Sequence, residues 1–431
     1  MQSLTLSPAG SVRGDLSVPG DKSISHRYVL LSSLAPGRSV IEHLSSGADV
    51  AATMACVRAL GAQVSMDAPD TVSVTGRDWT EPLTDLNADN SGTTMRLMAG
   101  LLAASPFKST LTGDGSLRRR PMRRVIDPLT AMGARITSED GLAPLVIEGG
   151  SLRGLEWSPP VPSAQIKSAV LLAGLRASGK TTVVERAETR DHTERAFPLF
   201  GLSCDVEGLR VSVAGGQRPA AARSRLRVPG DPSSAAVWAA AATALPGSLV
   251  HIRDVALNPR RIGFLRALER LGAQVSISEE SQVGGEPVGT ITAAFGDRRD
   301  TSIGANEVPG LIDELPVLAA CAAAGCVLEV SGAQELRVKE SDRITALVTG
   351  FQALGVNAEE RPDGFVIDGR RQATGGCADA VGDHRLVMAF AIVALAASGP
   401  SRIDGSECVS VSYPTFEADL RRMISMGVAR R

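Results

Sequence analysis

Apolar stretches of helical length recur along the chain, and each is followed by a glycine and then by a short stretch typical of a strand. Glycine just past a helix commonly adopts the left-handed conformation in which the chain reverses into a strand. The glycines stand 68 to 83 residues apart, at Gly61, Gly133, Gly201, Gly272, Gly355 and Gly427. This spacing predicts six copies of one unit that contains both strands and helices.

A second repetition divides the six copies into two groups of three. The sequence SVPGDKSIS at 17–25 resembles RVPGDPSSA at 227–235, about three repeat lengths later. We therefore predict an α/β (α+β) protein with an inserted lobe of residues 20–228 and a second lobe of residues 1–19 plus 229–431, separated by a cleft. A solenoid is the alternative, but each copy is about twice as long as the common helical repeats and mixes strand with helix.

Several predicted helices begin with a concentration of polar residues. A helix N-terminus has unpaired backbone N–H groups and about half a positive charge, although ordinary capping explains most single cases. Lys167 and Arg385 are exceptional, because a cation in the first turn opposes the helix dipole at a cost of ~0.3–1 kcal/mol unless an anion binds there. The recurrence predicts several helix starts directed at one anionic ligand. These starts lie at PGDKSISHR (19–27), NSGTTMR (90–96), SAQIK (163–167), DE (313–314) and DHR (383–385).

The first of these starts gathers Lys22, Ser23, Ser25 and Arg27 near one helix N-terminus. Such a group favours a phosphorylated or carboxylated ligand, whereas the alternative is an ordinary capped surface helix. Residues 117–124, LRRRPMRR, add a basic run in which the following proline holds Arg120 extended. We expect Arg120 to face a ligand and its neighbours to be solvated.

Residues 338–343, VKESDR, form another basic segment. Lys339 and Arg343 are four residues apart, which predicts that they share a helical face with Glu340 beside them. The alternative for this segment is an exposed helix with internal salt bridges.

Composition excludes several classes of function. A net charge of −2 and only 3% aromatic residues argue against nucleic-acid binding. The six cysteines contain no CxxC pair and the five histidines no HExxH spacing, so neither a disulfide framework nor a metal site is indicated. No signal peptide or membrane-spanning run is recognisable, and we expect a cytoplasmic protein with buried free thiols.

Residues 174–181, GLRASGKT, match the phosphate-binding loop GxxxxGK[ST]. That loop requires a strand before it and a helix after it, whereas here the preceding segment is helical in pattern and the following TTVVER is typical of a strand. We therefore predict a helix end and a turn at this place, not a nucleotide site. Residues 284–287, GGEP, likewise predict a turn inside a repeat.

The quoted segments together resemble the 5-enolpyruvylshikimate-3-phosphate (EPSP) synthase family over residues 19 to 416. Further matching stretches are GDGSLRRRPMRRV, RDHTER, VPGDPSSAA, LNPRRIG, LIDELP, GDHRLVMAF and SYPTF. The resemblance implies a two-lobed inside-out α/β barrel, each lobe built from three strand-helix units. It also implies transfer of the enolpyruvyl group of phosphoenolpyruvate to the 5-hydroxyl of shikimate 3-phosphate, in the shikimate pathway to aromatic amino acids, with no metal or organic cofactor. We expect a cytoplasmic monomer whose partners are these small molecules and neither nucleic acid nor membrane.

The resemblance also assigns residues to roles. It implies that shikimate 3-phosphate is held by Lys22, Ser23, Arg27, Ser163, Ala164 (through its backbone) and Lys339. It implies that phosphoenolpyruvate is held by Lys22, Gly92, Arg120, Gln165, Arg343 and Arg385. Asp313, Glu340 and Lys22 would share the proton transfers, with Asp313 as the usual acceptor.

The sequence departs from the family pattern at two places. Glu335 stands where some members have Asn, and Val411-Ser412 stands where some carry a Lys that contacts phosphoenolpyruvate. SAQIKSA and RDHTER resemble a bacterial branch with reduced inhibition by glyphosate, yet Gly92 leaves room for glyphosate, so we expect measurable inhibition.

Two alternative functions were weighed against this one. The first is the related transferase that acts on UDP-N-acetylglucosamine, which usually has Cys where this chain has Gly115. A non-enzymatic repeat protein would not explain the scattered cations.

Overall fold

The structure is a computed structural model that describes residues 2–222 and 224–428. Its strands are β1 (Ser3–Leu6), β2 (Arg13–Ser17), β3 (Gly37–Glu42), β4 (Gln63–Ala68), β5 (Thr71–Gly76), β6 (Leu86–Asn87), β7 (Lys108–Thr112), β8 (Arg135–Glu139), β9 (Leu142–Glu148), β10 (Glu156–Trp157), β11 (Lys180–Val184), β12 (Asp205–Glu207), β13 (Arg210–Ala214), β14 (Leu226–Arg227), β15 (Leu249–Ala256), β16 (Gln274–Val283), β17 (Glu286–Ala294), β18 (Thr301–Ile303), β19 (Val327–Val330), β20 (Asn357–Arg361), β21 (Gly364–Asp368), β22 (Cys377–Asp379) and β23 (Ser401–Asp404).

The α-helices are α1 (Lys22–Leu34), α2 (Ala48–Ala59), α3 (Gly92–Ala103), α4 (Arg123–Ala131), α5 (Ala164–Gly174), α6 (His192–Ala196), α7 (Pro232–Ala244), α8 (Gly263–Arg270), α9 (Val308–Leu311), α10 (Leu315–Ala323), α11 (Arg343–Ala353), α12 (His384–Ala396) and α13 (Phe416–Val428). Short 3-10 helices occur at Leu117–Arg119, Phe197–Phe200, Gln334–Val338 and Ser406–Val411.

The chain divides into two compact units. The terminal unit contains the chain up to Pro19, Pro229–Gln282 and the chain from Pro287 onward, and the middle unit contains Gly20–Val228 and Val283–Glu286. Each unit has a separate hydrophobic core of buried side chains. The core of the terminal unit includes Trp238, Phe264, Phe351 and Phe390, and that of the middle unit includes Tyr28, Phe197 and Phe200.

One sheet design recurs in both units. In each sheet of the described residues a central strand pairs in parallel with a short strand on one side, and in five of these sheets the other side carries a β-hairpin. The middle unit has three such sheets, ordered β14-β3-β5-β4, β6-β7-β9-β8 and β10-β11-β13-β12. The terminal unit has β16-β17-β15-β2, β18-β19-β21-β20 and a three-stranded sheet, β1-β23-β22. Among the described residues, the predicted sixfold repetition therefore appears as six sheets.

The strands just before the two crossings, β2 and β14, each pair inside their own unit with a strand that is distant in sequence. β2 directly precedes α1, yet it pairs with β15 in the terminal unit. β14 directly precedes α7, yet it pairs with β3 in the middle unit. These are the two segments whose sequences resemble each other. Each unit thus completes one of its sheets by pairing a strand near the first crossing with a strand near the second crossing.

The predicted glycine turns are confirmed at five of the six positions. Positive φ values of 69° to 106° occur at glycines that each lie between a helix and a strand: Gly61, Gly133, Gly201, Gly272 and Gly355. The prediction is wrong for Gly427, because α13 continues through it to Val428. The sixth copy differs because β1, from the start of the chain, pairs antiparallel with β23 where the other copies use a hairpin of their own. Residues 429–431, after this helix, lie outside the described residues.

Two further local predictions are confirmed. Residues 174–181 join α5 to β11, so helix precedes strand, the reverse of the order that a phosphate-binding loop needs. Residues 284–285 form the turn between β16 and β17. The thiols are free, but Cys377 is exposed rather than buried. Within residues 2–222 and 224–428, no helix is both long enough and apolar enough to cross a membrane.

Candidate active site in two sets of charged residues

The middle unit places three polar helix starts together. Asp21 caps α1 by accepting from the Ile24 N–H, and Ser91 caps α3 by accepting from the Thr94 N–H. Ser163 caps α5 in the same way, so that Ala164 is the first residue of that helix. Side-chain hydrogen bonds join these starts, as described below. The predicted site residues Lys22, Ser23, Gly92, Ser163, Ala164 and Gln165 therefore all lie within one turn of a helix N-terminus.

Lys22 is held by a carboxylate from the neighbouring helix. Its Nζ lies 2.9 Å from Oδ2 of Asp49, in the first turn of α2, and the two side chains are 15% and 9% exposed. Asp49 was not predicted, because an Asp in the first turn of a helix is ordinary. The contact fixes the direction of the ammonium group at the start of α1.

Arg27 is nearly inaccessible and donates to three oxygen atoms. Nε donates to Thr193 Oγ1 at 2.7 Å, Nη1 to the Ser23 carbonyl at 2.9 Å, and Nη2 to Ser168 Oγ at 2.6 Å. Burial lowers the pKa of Arg27 to about 10, so the guanidinium remains charged at neutral pH. A guanidinium has five N–H groups, and these three bonds use three of them. The other two can donate to a ligand while the cation stays fixed.

Two arginines approach the backbone at the start of α3. A Cβ built on Gly92 would lie 2.6 Å from Nη1 of Arg96 and 3.4 Å from Nη1 of Arg120. Arg96 donates to Gln165 Oε1 at 2.7 Å, and Arg120 donates to Asn90 Oδ1 at 2.6 Å. The backbone of Arg120 is extended, as predicted from the proline that follows it. Arg96 was not predicted, because it is the fifth residue of α3 and so lies beyond the first turn, where a cation is unusual.

The expectation that Lys167 faces a ligand is wrong. Its side chain is fully buried, and Nζ lies 2.9 Å from Glu185 Oε2 and 2.7 Å from Glu194 Oε1. The protein itself thus supplies the anions for this cation. Removing one partner from such a buried ion cluster is strongly destabilising, so Lys167 has a structural explanation.

The second copy of the PGD segment is also satisfied internally. At the start of α7, Asp231 accepts from Ser233 N at 2.8 Å and from Arg261 Nη2 at 3.1 Å. Glu314, which is 1% exposed, accepts from Ser233 Oγ. Pro232 occupies the position that corresponds to Lys22. The two related segments have therefore diverged, and the one in the middle unit carries the accessible cation.

In the terminal unit, three cations surround Asp313. Its carboxylate lies 3.6 Å from Lys339 Nζ, 3.8 Å from Arg343 Nη1 and 3.7 Å from Arg385 Nη2. Arg385 Nη1 also donates to the Asp313 carbonyl at 2.9 Å. The Asp313 side chain is 14% exposed and that of Lys339 is 30% exposed, so the group remains accessible. We call these four residues the Asp313 cluster.

Arg343 is the buried member of the Asp313 cluster. Nε donates to Asp383 Oδ2 at 2.8 Å, and Nη2 donates to Glu340. Burial opposes its charge, but Asp383, Glu340 and Asp313 outweigh burial and raise the pKa of Arg343 above its ordinary value. Asp383 was missed because it also caps α12, which is a sufficient reason for an Asp at that place.

The prediction that Lys339 and Arg343 share a helical face is wrong. Lys339 follows the 3-10 helix Gln334–Val338, and α11 begins only at Arg343 with Asp342 as its cap. Lys339 and Glu340 therefore lie in the connecting loop. Arg343 is 1% exposed, which also excludes the alternative of an exposed salt-bridged helix. Of the two departures from the family pattern, Glu335 lies in the same 3-10 helix, and Val411 ends another.

His26 gives the middle unit a pH-dependent stability. It is fully buried beside Thr53, and burial, followed by Lys22 and Arg27, lowers its pKa well below 6.5. Below about pH 6.5 the histidine binds a proton in the unfolded state but not in the folded state. The free energy of unfolding therefore falls as the pH falls below that value. We expect the free energy of unfolding to be about 1.4 kcal/mol lower at pH 5.5 than at pH 7.5 from this residue alone.

Urea unfolding at the two pH values, in the wild type and in His26→Gln, measures this contribution. The difference should shrink in His26→Gln but persist in His251→Gln, which alters a half-buried histidine on β15. Equal pH dependence in wild type and His26→Gln would contradict the prediction.

Comparison with known proteins gives one consistent result. Residues 6–420 match the family model described as EPSP synthase (3-phosphoshikimate 1-carboxyvinyltransferase). The 3-phosphoshikimate 1-carboxyvinyltransferase of Lactiplantibacillus plantarum is 44% identical over 99% of this chain and 100% of that protein. The one from Synechococcus sp. is 46% identical over 99% and 98%. A solved EPSP synthase structure from Acinetobacter baumannii superposes with a TM-score of 0.86, at 37% identity over 98% of each chain.

Proposed function

Because this chain belongs to the EPSP synthase (3-phosphoshikimate 1-carboxyvinyltransferase) family, we propose that the helix starts of the middle unit and the Asp313 cluster act on one pair of substrates. The enzyme transfers the enolpyruvyl group of phosphoenolpyruvate to the 5-hydroxyl of shikimate 3-phosphate and releases phosphate. The α/β fold is that of solved EPSP synthases. The observation that carries the proposal is the convergence of Lys339, Arg343 and Arg385 on one accessible carboxylate.

We assign shikimate 3-phosphate mainly to the middle unit. Lys22, Ser23, Arg27, Ser163 and the Ala164 backbone would bind it, together with Lys339. The placement of Ser23, Ser163 and Ala164 at helix N-termini supports this assignment, since unpaired N–H groups and hydroxyls suit a phosphate. Arg27 supplies a fixed charge beside them, because its Nη1 is bonded to the Ser23 carbonyl.

We assign phosphoenolpyruvate to Gly92, Arg120, Gln165, Arg343 and Arg385, with Lys22 reaching both substrates. The close approach of two guanidinium groups to the start of α3 supports this, because a carboxylate or phosphate can accept bidentate bonds from Arg. Gly92 has no side chain to occupy that space. We expect glyphosate to use the same space.

The chemistry requires the carbon that is protonated in the addition step to be deprotonated in the elimination step. In the addition step, the methylene carbon of phosphoenolpyruvate gains a proton, while the 5-hydroxyl attacks the adjacent carbon and loses its proton. In the elimination step, the new methyl group gives up a proton, the C–O bond to phosphate breaks, and the double bond re-forms. Asp313, Glu340 and Lys22 would carry these protons, with Asp313 accepting that of the hydroxyl. Neighbouring arginines would stabilise the charge on the departing phosphate.

Membership of the family also suggests the lobes, the location and the oligomeric state of the enzyme. We propose that residues 20–228 and residues 1–19 plus 229–431 are the two functional lobes, and that the enzyme works as a cytoplasmic monomer without cofactor. The net charge of −2 supports the expectation that neither nucleic acid nor a membrane surface is a partner.

Phosphate release with alternative acceptors tests the proposed function. We expect release from phosphoenolpyruvate when shikimate 3-phosphate is present and none when UDP-N-acetylglucosamine replaces it. Release only with the nucleotide sugar would support the related transferase. Absence of release with either acceptor, from a folded protein, would favour a non-enzymatic repeat protein.

Gly92→Ala tests the assignment of the α3 start. The added Cβ would stand 2.6 Å from Arg96 Nη1, so that side chain must shift and the space beside Arg120 shrinks. We expect the KM for phosphoenolpyruvate to rise about tenfold and inhibition by glyphosate to weaken, with the KM for shikimate 3-phosphate changed less than twofold. The matched control is Gly150→Ala, where nothing lies within 4 Å of the added atom. An unchanged KM for phosphoenolpyruvate would remove Gly92 from its site.

A further inference from the structure

Two buried hydroxyl groups connect Arg27 to the first residue of α5. Thr193 Oγ1 accepts from Arg27 Nε at 2.7 Å, and Ser168 Oγ accepts from Arg27 Nη2 at 2.6 Å. The two hydroxyls are themselves 2.7 Å apart, and Ser168 Oγ lies 2.7 Å from the Ala164 carbonyl. Thr193 is 1% exposed and Ser168 is fully buried.

The number of protons available on the two hydroxyls determines which of them donates to the other. A hydroxyl has one proton to donate, and Ser168 uses its proton on the Ala164 carbonyl, which can only accept. Thr193 must therefore donate to Ser168 while it accepts from Arg27. The result is a chain of donors that runs from the guanidinium of Arg27 through Thr193 and Ser168 to Ala164. Every proton in the chain has one acceptor, so the arrangement is a single defined geometry.

Thr193 lies on α6, a short helix that is fixed on its other sides. His192 Nδ1 lies 2.6 Å from Glu286 Oε1, and both side chains are buried. Arg195 Nη1 donates to the Gly285 carbonyl at 2.7 Å, and Glu194 contacts Lys167 at 2.7 Å. Three residues that flank Thr193 in the RDHTER segment thus hold α6 against α5 and against the segment 285–286. The position of the Thr193 hydroxyl is therefore set by packing and ion pairs that do not involve Arg27.

We infer that Thr193 is a positioning residue for the acceptor substrate, because it orients Arg27 and, through Ser168, the start of α5. This inference rests on the proposed function, in which Arg27 and Ala164 bind shikimate 3-phosphate. Without the Thr193 hydroxyl, Nε of Arg27 loses its acceptor in a buried place, and Ser168 keeps only one of its two donors, Arg27 Nη2. The guanidinium is then held by two hydrogen bonds in place of three, which loosens its orientation and weakens binding of the substrate that it faces.

Thr193→Val tests the inference, because valine keeps the branched shape and removes only the hydroxyl. We expect the KM and the calorimetric Kd for shikimate 3-phosphate to rise about tenfold, the factor for one lost hydrogen bond to a charged group. The KM for phosphoenolpyruvate should stay within twofold. Thr193→Ser restores the hydroxyl and should return both constants for shikimate 3-phosphate to near the wild-type values. The matched control is Thr243→Val, a buried threonine on α7 whose hydroxyl donates to the Ala239 carbonyl of the same helix.

The outcomes separate the inference from the proposed function. If wild-type enzyme does not turn over shikimate 3-phosphate, the proposed function fails before any variant is made. If wild type is active and folded Thr193→Val binds shikimate 3-phosphate normally, only the positioning role is refuted. An equal rise in both KM values, or a failure of Thr193→Ser to restore binding, also refutes it. Should Thr193→Val not fold, Thr193→Ala with the same measurements decides the question.

Discussion

Asp313→Asn should lower kcat by roughly 10³-fold while the protein stays folded. The variant keeps the shape of the side chain but removes the carboxylate that we assign as the proton acceptor. Folding should survive, because Arg343 retains Asp383 and Glu340 and Arg385 retains its bond to the carbonyl of residue 313. Turnover by a phosphate-release assay and the melting temperature together measure the effect. Asp313→Ala should be equally inactive.

The matched control for this prediction is Asp368→Asn, a half-buried aspartate of the same unit that pairs with the exposed Arg370. Its kcat should equal that of the wild type. A kcat for Asp313→Asn within tenfold of the wild type would remove Asp313 from the chemistry. In that case Glu340, which also contacts Arg343, would be the next carboxylate to replace.

Lys22→Met should lower kcat/KM for both substrates by roughly 10³-fold. Methionine preserves most of the side-chain length and removes the ammonium group that Asp49 holds at the start of α1. Because we assign Lys22 to both substrates, its loss should affect both constants, unlike Gly92→Ala or Thr193→Val. Because Asp49 is only 9% exposed and loses its cationic partner, the substitution also lowers stability, so the melting temperature is measured beside the kinetic constants.

Lys180→Met is the control for Lys22→Met, because Lys180 is an exposed lysine of the same unit at the start of β11. It should leave both substrate constants unchanged. Near-native turnover by Lys22→Met would show that Lys22 has no part in binding or catalysis. A loss of kcat/KM for one substrate alone would restrict Lys22 to that substrate.

Much of the repeated architecture could be predicted from the sequence because it depends on local chemistry. Glycine at a helix end and polar caps at a helix start act within about four residues, so their patterns are visible without tertiary information. Gly61 and Gly355 illustrate this, since both have positive φ between a helix and a strand. Gly427 was mispredicted because the sixth sheet takes its last strand, β1, from the opposite end of the chain.

The predicted site residues were found because cations near helix starts are unusual, but the partners of those cations were not. Lys167 shows the resulting error, since its two carboxylates, Glu185 and Glu194, come from distant parts of the sequence. Arg343 shows the converse, because Asp383, its strongest partner, was explained adequately as a helix cap. Sequence pattern identifies a charge that needs a partner but does not identify the partner.

The amino-acid sequence by itself determined the repeated units, the starts of five helices and the glycine ends of several, and, through the family resemblance, the cations and carboxylates that we assign to the reaction. Only the tertiary structure decided which of those charges are neutralised within the protein, as at Lys167 and Arg261, and which surround an accessible group, as at Asp313. The physical reason is the separation in sequence over which each kind of interaction acts. Capping and turn formation act between near neighbours in the chain, whereas ion pairs and burial depend on residues that come together only when the sheets and helices pack.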